Sequence, residues 1–296
     1  MPVAPANGIE VYYETFGDAG DPALLLVNGL GGQCLTWAEE LCEGFVDRGF
    51  FVLRYDNRDV GLSSRVPGSL DVAEAMARLV RGEAVDAPYL LADMAADAVG
   101  LLDHLGVQAA HVLGASMGGM IAQQLAMDRP GRVLSLTSLM STTGEPEVGQ
   151  PRPEALELMA LPPPEGREEA IDRAVVVASI VGSPDRVDEE RVRSVAGAQF
   201  DRAFDPDGVQ RQLIAIVSSP SRAEGLVGLR TPTLVVHGTE DLLVDPSGGR
   251  RTAELVPGAR LELVEGLGHD LPVPFWSHII ELVTRHAASA SAETRH

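Results

Sequence analysis

The chain has 296 residues, 45% hydrophobic and 22% charged, a length and balance that allow a sizeable buried core under a soluble surface. Its net charge is −20, its 23 basic residues are all Arg, and none of them cluster in a run, which excludes a nucleic-acid-binding surface or attachment to anionic lipid. No apolar stretch reaches the length of a membrane span, and the first ten residues have neither a basic region nor an apolar segment of signal length, so the expectations are a cytoplasmic location and no membrane insertion, with homo-oligomerisation left open.

In chain order, apolar β-branched runs predict strands at Ile9 to Thr15, Ala23 to Val27, Phe50 to Tyr55, Ala110 to Leu113, Val133 to Leu139, Thr233 to His237 and Leu261 to Val264. Helical spacing predicts helices at Thr36 to Val46, Met94 to Leu105, Met117 to Met127, Gly248 to Leu255 and Phe275 to His286. Such β-α-β-α alternation implies an α/β fold with a mostly parallel sheet, whose ligand site lies at the carboxyl ends of the strands. The alternation breaks from about Ser141 to Leu229, where Pro151, Pro153 and Pro162 to Pro164 punctuate helical patterns without strands. Residues 1–140 and 230–286 are therefore expected to form the core, residues 141–229 a helical cap, and residues 287–296 a disordered tail.

The chemistry concentrates in His111-Val-Leu-Gly-Ala-Ser-Met-Gly-Gly-Met120. Gly114-x-Ser116-x-Gly118 keeps Cβ atoms out of a tight strand-to-helix turn, which exposes the Ser116 hydroxyl. The pattern alone arises readily by chance in a Gly- and Ser-rich chain, so its strand-then-helix context carries the reading. A serine hydroxyl needs a base and a group that orients the base. Asp241, after the strand at Thr233 to His237, and His269, after the strand at Leu261 to Val264, stand on loops at the same sheet edge as Ser116. Glu240 beside Asp241 reads as a turn residue. Oxyanion donors are expected from the backbone N–H of Met117 and, in the Val27-Asn-Gly-Leu-Gly-Gly32 loop, of Leu30. Cys34 and Cys42 read as reduced packing residues, and no His, Cys, Asp or Glu set has metal-ligand spacing, so neither a metal nor a cofactor is expected.

The order Ser, Asp, His on such loops resembles that of the α/β-hydrolases, over nearly the whole chain from Ile9 to about Arg285, and is similar above all to actinobacterial Ser-type carboxylesterases and lipases and to anthracycline methylesterases. Two positions depart from the family's habit. Asn28 replaces the common His before Gly29, and Asp59 in Asp56-Asn-Arg-Asp-Val-Gly-Leu-Ser-Ser64 stands where glycine is commoner. Arg58 in that loop reads as structural. The resemblance implies an α/β-hydrolase fold and a serine-dependent hydrolase of small-molecule carboxylic esters working through an acyl-enzyme. Its alternatives are a carbon–carbon bond or enol-lactone hydrolase, a cofactor-free perhydrolase, and a non-catalytic ligand binder on the same fold. Aliphatic cap residues, among them Leu156, Leu158, Val176 and Ile180, with Phe200 and Phe204, are expected to wall the pocket and favour acyl chains of intermediate length.

Overall fold

The computed structural model describes residues 1–67, 74, 75, 77, 78, 81, 83, 85–159 and 161–293. Strands β1 (Val3–Ala6), β2 (Ile9–Phe16), β3 (Ala23–Val27), β4 (Phe51–Tyr55), β5 (Ala110–Ala115), β6 (Val133–Leu139), β7 (Thr233–Gly238) and β8 (Arg260–Val264) form one sheet in the order β1-β2-β4-β3-β5-β6-β7-β8. Pairs from β4 to β8 are parallel, while β1 with β2 and β2 with β4 are antiparallel. Every residue of β3, β4 and β7 is buried, as a sheet covered on both faces requires.

Helices α1 (Glu39–Val46), α2 (Leu91–His104) and α3 (Met117–Asp128) alternate with the first strands, and α9 (Ser247–Leu255) and α10 (Val273–Glu293) with the last. One core cluster joins Leu25, Leu53 and Val112 to Leu101, Ile121 and Leu125 of α2 and α3. The opposite cluster joins Leu24, Leu26 and Val236 to Phe45 of α1 and Ile279 and Val283 of α10. Between β6 and β7 the described residues form five helices and no strand: α4 (Pro153–Met159), α5 (Arg167–Val181), α6 (Glu189–Arg202), α7 (Pro206–Ser218) and α8 (Ala223–Val227).

Two expectations need correction, and one strand is added. Residues 287–293 are not a disordered tail but the last turns of α10, held because Ala287 and Ala290 are buried; residues 294–296 lie outside the described residues. The helix expected from Thr36 starts at Glu39, after a 3₁₀ turn at Cys34–Thr36 and extended backbone at Ala38. Strand β1 was not foreseen; it is short, and it pairs antiparallel across the Asn7-Gly8 turn, where both residues take positive φ.

Candidate active site

Ser116 sits between β5 and α3 with φ +56° and ψ −121°, a conformation that costs a non-glycine residue of the order of 1–3 kcal/mol. Its neighbours make that turn possible. A Cβ at Gly114 would overlap the Gly118 carbonyl, and one at Gly118 would overlap the Val27 carbonyl. The turn is pinned by Ser116 N–H donating to Leu139 O (2.9 Å) and by Ser141 Oγ donating to Ser116 O (2.8 Å).

His269 and Asp241 meet Ser116 from the other two loops. His269 Nε2 lies 3.0 Å from Ser116 Oγ, and His269 Nδ1 lies 2.8 Å from Asp241 Oδ2. A carboxylate only accepts, so the proton sits on Nδ1 and the Nε2 lone pair faces the serine hydroxyl. Asp241 is 2% exposed. Burial works to raise its pKa, but the attraction of His269 when protonated, hydrogen bonds from His237 and His269, and the Val244 N–H outweigh it and hold the carboxyl at about 2. Its Oδ1 accepts from Leu243 N–H (3.0 Å) and Val244 N–H (2.8 Å), which leaves Oδ2 for the imidazoles. Glu240, by contrast, is exposed and takes no part in this chain of hydrogen bonds.

Met117 begins α3, so its N–H is one of the orphan donors at a helix start. Leu30 lies on the β3 loop that crosses beside Ser116, where a Cβ on Gly29 would stand 3.3 Å from Ser116 Cβ. Among the described residues, no protein acceptor takes the N–H of Met117 or Leu30. Asn28, the departure from the family habit, donates through Nδ2 to Tyr55 O (2.8 Å) and so ties this loop to the end of β4.

Sequence reading missed a ring of supports. His237, fully buried on β7, donates from Nε2 to Val244 O (2.8 Å) and faces Asp241 Oδ2 at 3.3 Å, while its Nδ1 has no partner among the described residues. The His269 loop is tied to the end of α5: His269 N–H donates to Val181 O (2.6 Å), Ser183 Oγ donates to Asp270 Oδ1 (2.5 Å), and Gly268 N–H donates to Ser183 Oγ (3.0 Å). Burial raises the pKa of Asp270, against the lowering effect of the Ser183 hydrogen bonds. Arg58 forks onto Asp97 at 2.6 Å through two nitrogens, a structural role as expected. Asp59 has φ +72°, which explains why glycine suits that position, and its carboxylate takes both forks of Arg211 at 2.9 Å. Only the Gly-rich and acidic composition of these loops hinted at such ties; their partners are more than 80 residues away or on other elements.

Two cavities flank the site. One, about 540 Å³, reaches Leu30 and Gly31 and is walled by Leu158, Val177, Phe200 and Leu213. The other, about 790 Å³, reaches His269 and is edged by Asp185, Arg186, Asp188 and Arg191. They share Ala174, Ala196 and Gln199. Of the wall residues expected from sequence, Leu158, Phe200 and Phe204 line the first cavity, whereas Leu156 and Val176 are 51% and 44% exposed and, like the half-buried Ile180, absent from its lining. Cys34 and Cys42 are free and buried. No group of His, Cys, Asp or Glu among the described residues could hold a metal, and none of their helices is long and apolar enough to cross a membrane.

The family model described as the alpha/beta hydrolase fold matches residues 22–273. The chain belongs to the α/β-hydrolase family. Among curated relatives, a rhodomycin D methylesterase of Streptomyces peucetius is 32% identical over 96% of each chain. A putative carbamate hydrolase of Variovorax paradoxus is 30% identical over 88% of this chain and 89% of its own. Among solved structures, an enol-lactonase from Burkholderia xenovorans LB400 superposes with a TM-score of 0.74 at 26% identity, covering 97% of this chain and all of that one.

Proposed function

We propose that this α/β-hydrolase cleaves carboxylic esters through a Ser116–His269–Asp241 triad and an acyl-enzyme. The observation that carries the reading is the unbroken hydrogen-bond chain from Asp241 Oδ2 through both nitrogens of His269 to Ser116 Oγ. A relative named for methyl ester cleavage, matched over 96% of both chains, supports the same reaction class.

Ser116 Oγ attacks the ester carbonyl as His269 Nε2 takes its proton, and Asp241 stabilises the imidazolium that forms. The carbonyl oxygen becomes an oxyanion between the Met117 and Leu30 N–H groups. Collapse breaks the bond to the alcohol oxygen, which receives the proton from His269 and leaves. Water then attacks the acyl-serine, giving its proton to the same nitrogen, and the acid departs as Ser116 regains its hydrogen. The apolar cavity beside Leu30 suits the acyl part, since the acyl carbonyl oxygen must reach the Leu30 and Met117 N–H groups. The cavity beside His269 suits the alcohol, whose oxygen must reach Nε2.

Substitution tests the reading. Ser116→Ala is expected to lower kcat for p-nitrophenyl butyrate on the order of 10⁵-fold with an unchanged thermal transition, because it removes one half-buried hydroxyl and little packing. Turnover retained within tenfold overturns the assignment. An enol-lactone is an internal ester, and the likeness to the solved enol-lactonase over 97% of the chain makes it the second substrate class to assay.

A further inference from the structure

Helix α7 has two working faces. Val209, Gln210 and Leu213 line the cavity beside Leu30, while Arg211, Gln212, Ile214 and Ala215 are buried against the core. The helix is seated closely: a Cβ on Gly208 would overlap the Asp59 carbonyl, Arg211 forks onto Asp59, and Asp205 caps the first turn by accepting from Gly208 N–H at 3.1 Å.

Gln212 has no exposed surface and spans two backbone loops. Its Oε1 accepts from Gly31 N–H at 2.9 Å, and its Nε2 donates to Arg58 O at 2.8 Å. The amide orientation is therefore fixed at both ends. Gly31, with φ +69°, follows Leu30, so this bond sets the peptide plane on the carboxyl side of Leu30. On the amino side, Gly29 O accepts from Gly32 N–H at 3.1 Å. The C=O and N–H of a trans peptide point in opposite directions, so tying Gly29 O to Gly32 turns the Leu30 N–H the other way. Both peptides that flank Leu30 are thus held, one by a turn within its own loop and the other by a side chain of the helical insertion.

We infer that Gln212 is a positioning residue for the oxyanion hole: by holding the Leu30–Gly31 peptide, helix α7 sets the transition-state donor as well as walling the acyl cavity. This rests on the ester-hydrolase reading above. An oxyanion donor contributes only if it stands at hydrogen-bond distance from where the charge develops. Loss of the Gln212 bond frees the Leu30–Gly31 peptide and with it the backbone torsions of Leu30, so that the adjoining Gly29–Leu30 peptide, which carries the donor N–H, can turn away; the transition state is affected more than the bound ester.

The test compares the wild type with Gln212→Met, which keeps length and volume without polar atoms, and Gln212→Asn, which keeps an amide one methylene too short to reach both loops. Rates on p-nitrophenyl butyrate are expressed per folded molecule, with the folded fraction taken from the unfolding transition. Inhibition by butylboronic acid, whose tetrahedral adduct on a serine places an oxygen in the hole, is measured alongside. The expected result for both variants is a 10- to 100-fold fall in kcat, KM within threefold, and a boronate inhibition constant weakened by a factor similar to that in kcat. Unchanged kcat and boronate affinity per folded molecule, or a rise in KM alone, overturns the inference, and Gln212→Asn decides the matter if Gln212→Met does not fold. Wild-type protein that neither turns over the ester nor labels with a fluorophosphonate instead marks failure of the ester-hydrolase reading itself.

Discussion

Asp241 accepts at one oxygen from His269 and faces His237 with the same oxygen, while two backbone N–H groups hold the other. Every lone-pair direction of a buried carboxylate is thereby used, which is why it stays ionised despite burial. The Asp241→Asn substitution keeps the shape but can present an amide N–H to His269 Nδ1, which favours the tautomer with its proton toward Ser116. The expected loss is on the order of 10³- to 10⁴-fold in kcat, and Glu240→Gln, altering an exposed side chain, is expected to stay within threefold. Steady-state kinetics of the two variants on one ester check this, and reversed effects would make Glu240 the orienting acid. Asp241 and His269 were legible because each follows a strand run and a glycine turn. His237 was not, since a histidine within an apolar strand gives no sign that its Nε2 faces a carboxylate four residues on.

The strand, elbow and helix around Ser116 were readable because glycine spacing, an apolar run and helical periodicity point to one local structure. The helical insertion was readable only as a break in alternation. Its ties to the core, Ser183 to Asp270, Arg211 to Asp59 and Gln212 to Gly31, join residues far apart in sequence whose local patterns are those of ordinary exposed helices. Its inward face was also only partly legible: Leu158 and Phe200 reach the cavity, but Leu156 and Val176 sit on the outer side of their helices. The wall that results is chiefly apolar, and its charged side chains, Arg173 and Asp205, are already paired with Glu169 and Arg65, which leaves little to read a charged acyl group. Each buried methylene is worth about 0.8 kcal/mol, or roughly fourfold in kcat/KM, until the space is filled. A series of p-nitrophenyl esters is therefore expected to rise from acetyl to butyryl or hexanoyl and decline for long chains. A flat series, or a preference for palmitoyl esters, would show that α4 to α7 do not bound the acyl group.

At the scale of the molecule, one sheet carries the three site loops on its carboxyl edge, and both of its faces are sealed by helices. That sealing leaves His111 of β5 2% exposed, between Ser135 Oγ at 2.8 Å and the ring edge of Phe50. Burial, with a smaller contribution from the charge of His286, lowers its pKa from the usual 6.5 to about 4. A depressed folded-state pKa means that stability is full above pH 6.5 and falls as the pH drops through 4, because the unfolded chain takes up the proton first. This histidine is expected to remove about 2 to 3 kcal/mol of unfolding free energy between pH 7 and pH 4.5. Urea unfolding at the two pH values checks it, and His111→Asn is expected to flatten the slope; an equal slope in the variant would place the acid sensitivity elsewhere. The most direct measurement of all is mass spectrometry of the intact protein after brief exposure to a fluorophosphonate, followed by peptide mapping. One adduct per chain, carried on Ser116 and lost in His269→Ala at matched exposure, is the predicted result. Ester turnover without any adduct, or an adduct on a different residue, would contradict a nucleophilic Ser116.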